Sequence, residues 1–218
     1  MDIYQKIKEQ LALSGTKLVL VSKTKPIKLI QKYYDLGQRD FGENRVQELV
    51  SKYELLPKDI KWHQIGHLQK NKVKYIAPFV HLIHAVDDIG LLKEINKRAK
   101  TNNRTIEVLL QLKIAKEESK FGLSKKGIIK LLESQSYHEM KNIRIAGLMG
   151  MATFTQDKIQ IKEEFKTVKD FFRFLKSNFF ADQGHFREIS MGMSGDYDLA
   201  IEEGATMVRI GSLIVGKR

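Results

Sequence analysis

The stretch Leu18-Val19-Leu20-Val21-Ser22-Lys23-Thr24-Lys25-Pro26 runs four consecutive apolar residues into two lysines and a proline. A continuous Leu/Val run bounded by a turn signal predicts a strand, Leu18–Lys23, buried on both faces as in a parallel sheet. Side chains alternate along a strand, so Lys23 and Lys25 are expected on the same side. An amine at the end of a buried strand costs free energy unless a site uses it, because desolvation disfavours the ammonium. A lysine held neutral can attack an aldehyde and form a Schiff base. The plainer alternative is that both amines simply reach water past the strand end.

Outward from this stretch the apolar runs recur at a regular pace. Leu18–Lys23, Asp40–Asn44, Trp62–Gly66, Leu82–Val86, Val108–Leu112, Ile145–Ala152, Glu188–Met193 and Met207–Val215 make eight expected strands. Segments of helical period lie between them: Ile27, Ile30 and Tyr34 before Gly37; Val46, Leu49 and Tyr53; Ile89, Leu92, Ile95 and Ala99; and Ile128, Leu131 and Leu132 after the N-cap candidate Ser124. The longest is Ile161–Leu175, and the last is Asp198–Glu203, closed by Gly204. Eight alternations without a break in composition predict the α/β class and one (β/α)₈ TIM barrel with an additional N-terminal helix, a single domain over residues 1–218. The competing doubly wound sheet loses its usual signatures, since neither a GxGxxG turn nor a P-loop follows any strand.

Composition narrows the function classes. With no cysteine, neither disulfides nor thiolate metal sites are available. The N-terminus lacks a signal-peptide apolar run, and nothing approaches the roughly 20 apolar residues that span a bilayer, so a cytoplasmic protein is expected. A net charge of +12 invites nucleic acid as a partner, but only nine of the 38 basic residues are arginine and the lysines are scattered. Solvated helix faces explain that charge at least as well.

Active sites of such barrels lie at the C-terminal ends of the strands. That rule collects Lys23 and Lys25 after the first strand, Asn44 after the second, His63 and His67 around the third, and Met149 and Met151 at the sixth. The seventh brings Ser194-Gly195-Asp196 and the eighth Arg209-Ile210-Gly211-Ser212. Barrels often bind phosphate with the loops after strands seven and eight. Ser194 and Gly195 at a helix start offer unpaired N–H groups, and Gly211-Ser212 adds a close backbone approach and a hydroxyl. The same residues also read as an ordinary helix cap and a turn glycine, and Asp196 favours that second reading. His63 and His67 have i, i+4 spacing, but the first falls in a strand and no carboxylate pattern accompanies them, so no metal is expected. His81 and His84 read as solvated or structural. The phenylalanines between 165 and 180 read as core plus a partly exposed helix edge.

Together, VSKTKP (21–26), FGENRVQE (41–48), WHQIGHLQKNK (62–72), KFGL (120–123), GLMGMA (147–152), SMGMSGDYDLAIEEGATMVRIGS (190–212) and IVG (214–216) resemble the pyridoxal phosphate homeostasis proteins. These are single-domain relatives of the barrel half of alanine racemase. Gln64 departs from the aromatic or apolar residue usual in that family. The resemblance implies pyridoxal 5'-phosphate held by Lys23 as a Schiff base, with Ser194, Gly195, Gly211 and Ser212 around its phosphate. Arg209 would face the pyridine nitrogen, Asn44 the phenolic oxygen, and Met149 and His63 would line the pocket. An arginine only donates hydrogen bonds, so it favours the unprotonated ring, the weaker electron sink.

The expected protein is thus a carrier in vitamin B6 homeostasis, monomeric, that keeps the reactive aldehyde masked and delivers it to recipient apo-enzymes. The alternative is an amino-acid racemase, a third reading a nucleic-acid-binding protein. Racemase turnover is not expected, because no segment after the eighth strand supplies a second domain and only Tyr197 lies in a strand-end segment.

Overall fold

The protein is described from a computed structural model covering residues 2–116 and 121–216. Lys120 of the KFGL motif lies outside the described residues. Eight strands, β1 (Lys17–Val21), β2 (Asp40–Glu43), β3 (Lys61–Gln64), β4 (Leu82–Val86), β5 (Ile106–Gln111), β6 (Ile143–Met149), β7 (Glu188–Ser190) and β8 (Met207–Ile210), close into a barrel in sequence order. All neighbours are parallel, and β1 closes the ring on β8 with Leu18 opposite Val208 and Leu20 opposite Ile210. Helices α1 (Ile3–Ser14), α2 (Ile27–Asp35), α3 (Val46–Leu55), α4 (Val73–Ile76), α5 (Ile89–Thr101), α6 (Lys125–Glu133), α7 (Gln135–His138), α8 (Lys158–Phe179), α9 (Tyr197–Glu202) and α10 (Ser212–Val215) surround or cap it. The expected (β/α)₈ barrel with a leading helix is the observed fold. Among the described residues no helix is long and apolar enough to cross a membrane.

The two-sided burial of the strands explains their continuous apolar runs. Leu18 and Leu20 join the large core between strands and helices, with Tyr4, Ile7 and Leu11 of α1 on the same side. Val19 instead packs with Leu82, Leu109, Ala146, Met149 and Met207 in a smaller cluster drawn from five strands, inside the barrel. Ser124 caps α6 by accepting from the Gly127 N–H at 3.0 Å, as expected. Phe165, Phe171 and Phe180 are buried, whereas Phe174 stays 43% exposed at the edge of α8.

The structure differs from the sequence reading at most strand ends, β7 for instance stopping at Ser190 rather than Met193, and three of the differences bear on the site. β1 stops at Val21, and Ser22–Lys25 form a turn in which Thr24 has φ 64°, so strand alternation does not place the lysines. The apolar run after Met207 does not continue as strand to Val215. It breaks at Gly211 and resumes as α10, with Ile214 buried and Leu213 40% exposed. β6 ends at Met149 rather than Ala152, and its pairing with β5 slips at Gly147. Gly147 has φ 154°, and a Cβ there would stand 1.8 Å from the Glu188 carbonyl oxygen, so only glycine fits this slip.

Candidate functional site

The C-terminal ends of the strands surround a cavity of about 740 Å³. Seven of the nine sequence-expected residues line it: Lys23, Asn44, Ser194, Gly195, Arg209, Gly211 and Ser212. Met149 does not. The slip at Gly147 leaves it fully buried in the inner cluster, and Met151 takes the place on the wall. His63 is also fully buried, inside the barrel and off the cavity wall.

The turn that carries the lysines is clamped from behind. Ser22 Oγ donates to Glu43 Oε1 at 2.6 Å, and Lys52 Nζ of α3 reaches the Ser22 carbonyl at 2.8 Å. The same amine pairs with Glu43 at 2.7 Å and Glu48 at 2.6 Å, while Glu48 accepts the Thr24 N–H. Burial pushes the Glu43 carboxyl above its ordinary pKa despite Lys52 and Ser22, and its Oε2 has no partner among the described residues. This clamp was not legible as a site feature, although Glu48 and Lys52 stand i, i+4 on a helix. Lys23 is half-buried, and among the described residues no group pairs with its amine, whereas Lys25 is engaged elsewhere.

Asn44 follows β2 and is braced by Gln64, whose Nε2 donates to the Asn44 carbonyl at 2.9 Å and to that of Gly66 at 3.1 Å. The departure at Gln64 thus faces away from His63, on the opposite side of β3, and supports the cavity wall. At the mouth, His67 stacks on Phe121 with ring centroids 4.2 Å apart and meets Asp87 at 3.3 Å. It does not meet His63.

Opposite the lysines, Ser194 joins the last two loops by accepting from the N–H groups of Gly211 at 3.2 Å and Leu213 at 3.4 Å. Among the described residues no acceptor pairs with the N–H of Ser194, Gly195 or Ser212. A Cβ on Gly195 would meet nothing within 4 Å, so the fold does not require glycine there; a Cβ on Gly211 would crowd Val21 at 3.1 Å. The two glycines therefore leave a cradle on the cavity side and a tight strand contact behind it. Asp196 Oδ1 accepts the Met193 N–H at 2.6 Å and does not cap α9.

Arg209, 4% exposed, closes the floor. Burial lowers its pKa to about 10, offset in part by Asp196, so it stays a guanidinium at neutral pH. It donates to Ser190 Oγ at 2.6 Å and to the Gly150 carbonyl at 3.1 Å. From Ser190 a chain continues through the barrel: His84 Nδ1 at 3.0 Å, His84 Nε2 to His63 Nδ1 at 2.9 Å, and His63 Nε2 to Asp40 Oδ1 at 3.0 Å. Desolvation pushes both histidines below their ordinary pKa, so each is a neutral imidazole with one donor and one acceptor. Asp40 only accepts, which fixes every other role: His63 donates to Asp40, His84 to His63, and Ser190 to His84. His63 therefore serves the cavity indirectly, by anchoring Arg209. The motif that begins at Ser190 and the reading of His84 as solvated or structural did not reveal this role, because polar residues on buried strands look merely structural.

Two lysines, a buried guanidinium and unpaired N–H groups around a glycine cradle define a (β/α)₈ barrel whose mouth can receive a small anion bearing an electrophilic carbon. The sequence pattern of the family described as "Alanine racemase, N-terminal domain" matches residues 3–218. A pyridoxal phosphate homeostasis protein of Aquifex aeolicus is 40% identical over 93% of this chain and 87% of its own. The structure of PipY from Synechococcus elongatus PCC7942 without PLP superposes with a TM-score of 0.90 at 32% identity, covering 98% of both chains. The PLP-bound form of PipY gives 0.86 at the same identity, again over 98% of each. The chain belongs to the pyridoxal phosphate homeostasis proteins, within that broader alanine racemase N-terminal family.

Proposed function

We propose that this protein binds pyridoxal 5'-phosphate at the barrel mouth through a Schiff base with Lys23, and stores and delivers it without racemising amino acids. The observation that carries the reading is the convergence, on one cavity, of the Lys23 amine, Arg209 and the cradle at Gly195. A Cβ would fill that cradle, and unpaired N–H groups border it, as a phosphate ester requires. The cofactor, when bound, supplies a reactive aldehyde. Lys23 supplies the amine, and the carbon–nitrogen double bond forms with loss of one water. Ser194, Gly195, Gly211 and Ser212 receive the phosphate, Arg209 faces the ring nitrogen, and Asn44 the phenolic oxygen. The clamp of Lys52, Glu43 and Glu48 keeps the Lys23 turn in place while the amine stays mobile. The homeostasis proteins that this chain resembles, and the PLP-bound PipY, support the ligand.

Borohydride reduction of the loaded protein, followed by peptide mapping, tests the linkage. The label is expected on Lys23. Label chiefly on Lys25, or none with a bound cofactor, would overturn the assignment.

A further inference from the structure

Towards the N-terminal ends of the strands, away from the cavity, Asp40 opens β2, His63 sits within β3 and His81 immediately precedes β4. Parallel register sets them side by side, with His63 opposite Leu82 and Asp40 opposite Lys61. One ligating atom from each lies within 4.8 Å of the other two. We propose that Asp40, His63 and His81 form a binding site for a divalent transition-metal ion, of which zinc is the natural probe.

Three observations carry this. The first is the donor set: two imidazoles and one carboxylate suit zinc and its neighbours among the divalent metals, with a fourth position left for water. Zinc ligands at about 2.0–2.1 Å stand about 3.4 Å apart in a tetrahedron. The 3.0 Å separation of His63 Nε2 and Asp40 Oδ1 is near that spacing, so His81 alone must swing inward.

The second is that the His81 ring is free to do so. It is half-buried, touches His63 edge-to-face at 5.3 Å between centroids, and makes no hydrogen bond to any of the described residues. The backbone N–H of His81 donates to the Trp62 carbonyl at 2.9 Å, which holds the residue in place without using its ring nitrogens.

The third is that the far nitrogen of His63 is already oriented. His84 Nε2 stands 2.9 Å from His63 Nδ1, the outer partner that a metal-bound histidine typically has. With metal on Nε2 the His63 proton sits on Nδ1 and His84 Nε2 accepts it; the His84 proton then sits on Nδ1 and donates to Ser190 Oγ, whose own hydroxyl proton turns away from the ring. Lys17 and Lys61 lie close enough to act on Asp40, which tempers the affinity; Lys17 is in part engaged by Glu188 at 3.5 Å.

Titration of zinc into EDTA-treated, desalted protein, followed by calorimetry and, with cobalt, by visible absorption, tests the site. One ion per chain is expected, with binding at least about tenfold weaker in both H81A and D40N. The H67A variant, whose histidine lies at the cavity mouth, should bind as the unsubstituted protein does. The His81 ring holds nothing in the fold by hydrogen bonding, so H81A should fold, and circular dichroism checks it. Absence of saturable one-to-one binding, equal affinity in H81A and D40N to the unsubstituted protein, or loss in H67A would overturn the site.

Discussion

The Arg209 guanidinium donates to Ser190 Oγ at 2.6 Å, and Ser190 Oγ in turn donates to His84 Nδ1 at 3.0 Å. Among the described residues no carboxylate forms an ion pair with this buried cation; Asp196 acts on it without a direct contact, and the hydrogen-bond chain runs on through a serine and two imidazoles to Asp40. Every donor in that chain points from Arg209 towards Asp40, so the aligned dipoles stabilise both ends.

Ser190→Ala should therefore cost more than a hydroxyl. It leaves a charged donor and the His84 Nδ1 acceptor unpaired in a dry interior, worth about 1–3 kcal/mol or more. Urea unfolding at pH 7 reads this directly, and a change below about 0.5 kcal/mol, the usual range for surface substitutions, would show that the chain is not a stabilising unit.

The same interior sets a pH dependence. His63 and His84 are held below the ordinary value, and His81 at about 4, all chiefly by desolvation. In the unfolded chain these histidines take up protons near pH 6.5, roughly. Below that pH the unfolded state binds more protons, so stability present above it is lost as pH falls towards about 4. Glu43, whose pKa is raised, works the other way, but one carboxyl opposes three imidazoles. Unfolding free energies measured with EDTA present should fall across this window, and H81N should flatten part of the fall. A flat profile would mean the imidazoles are protonated in the fold.

The eight strands and the leading helix were legible because each strand is a short apolar run and each helix carries its own period. The mouth was legible for a related reason: the barrel rule turns strand ends into neighbours without any distance being known. What was hidden depends on register. Gly147 signals a slip that turns Met149 and Met151 to the same inner face, but only their depth in the barrel decides that Met151 reaches the cavity while Met149 stays in the inner cluster. His84 and Ser190, 106 residues apart, meet only because β4 and β7 face each other across the barrel. The convergence of Asp40, His63 and His81 was missed because i, i+4 spacing drew His63 towards His67.

Behind the lysine turn, Lys52→Met removes one partner of a buried pair and strands Glu43. Such a break costs about 3–5 kcal/mol, unlike replacement of the whole pair by apolar groups. Differential scanning calorimetry checks the stability, and borohydride trapping at Lys23 should fall in parallel. Unchanged trapping in a folded variant would show that the clamp does not position the lysine.

At the cradle, Gly195→Ala and Ser212→Ala separate fold from ligand. A Cβ at Gly195 meets nothing, so the melting temperature should hold while pyridoxal phosphate binding drops. Loss of the Ser212 hydroxyl removes a donor to a charged group, about 1.5–3 kcal/mol, or roughly tenfold to hundredfold in affinity. Absorbance titration measures both. Wild-type affinity in the two variants would place the phosphate elsewhere.

The final prediction is that the loaded protein does not racemise amino acids at an enzymatic rate. Racemisation requires a base on each face of the substrate carbon, each within hydrogen-bond reach. Lys23 can serve one face, but no tyrosine is among the described residues that line the cavity. Tyr197 hydrogen-bonds outward to Gln10 at 3.2 Å, on the outer side of the barrel. Arg209 remains charged and only donates, so in the proposed binding mode it would hold the ring nitrogen unprotonated and limit carbanion stabilisation. The remaining candidate, His67, is stacked on Phe121 and engaged by Asp87, which leaves it poorly placed to cross to the lysine. Chiral chromatography after long incubation of the loaded protein with L-alanine should find at most slow exchange. Turnover near about 1 s⁻¹, the low end for typical enzymes, would overturn the carrier reading and make another basic group of the wall, His67 or Lys25, the second base.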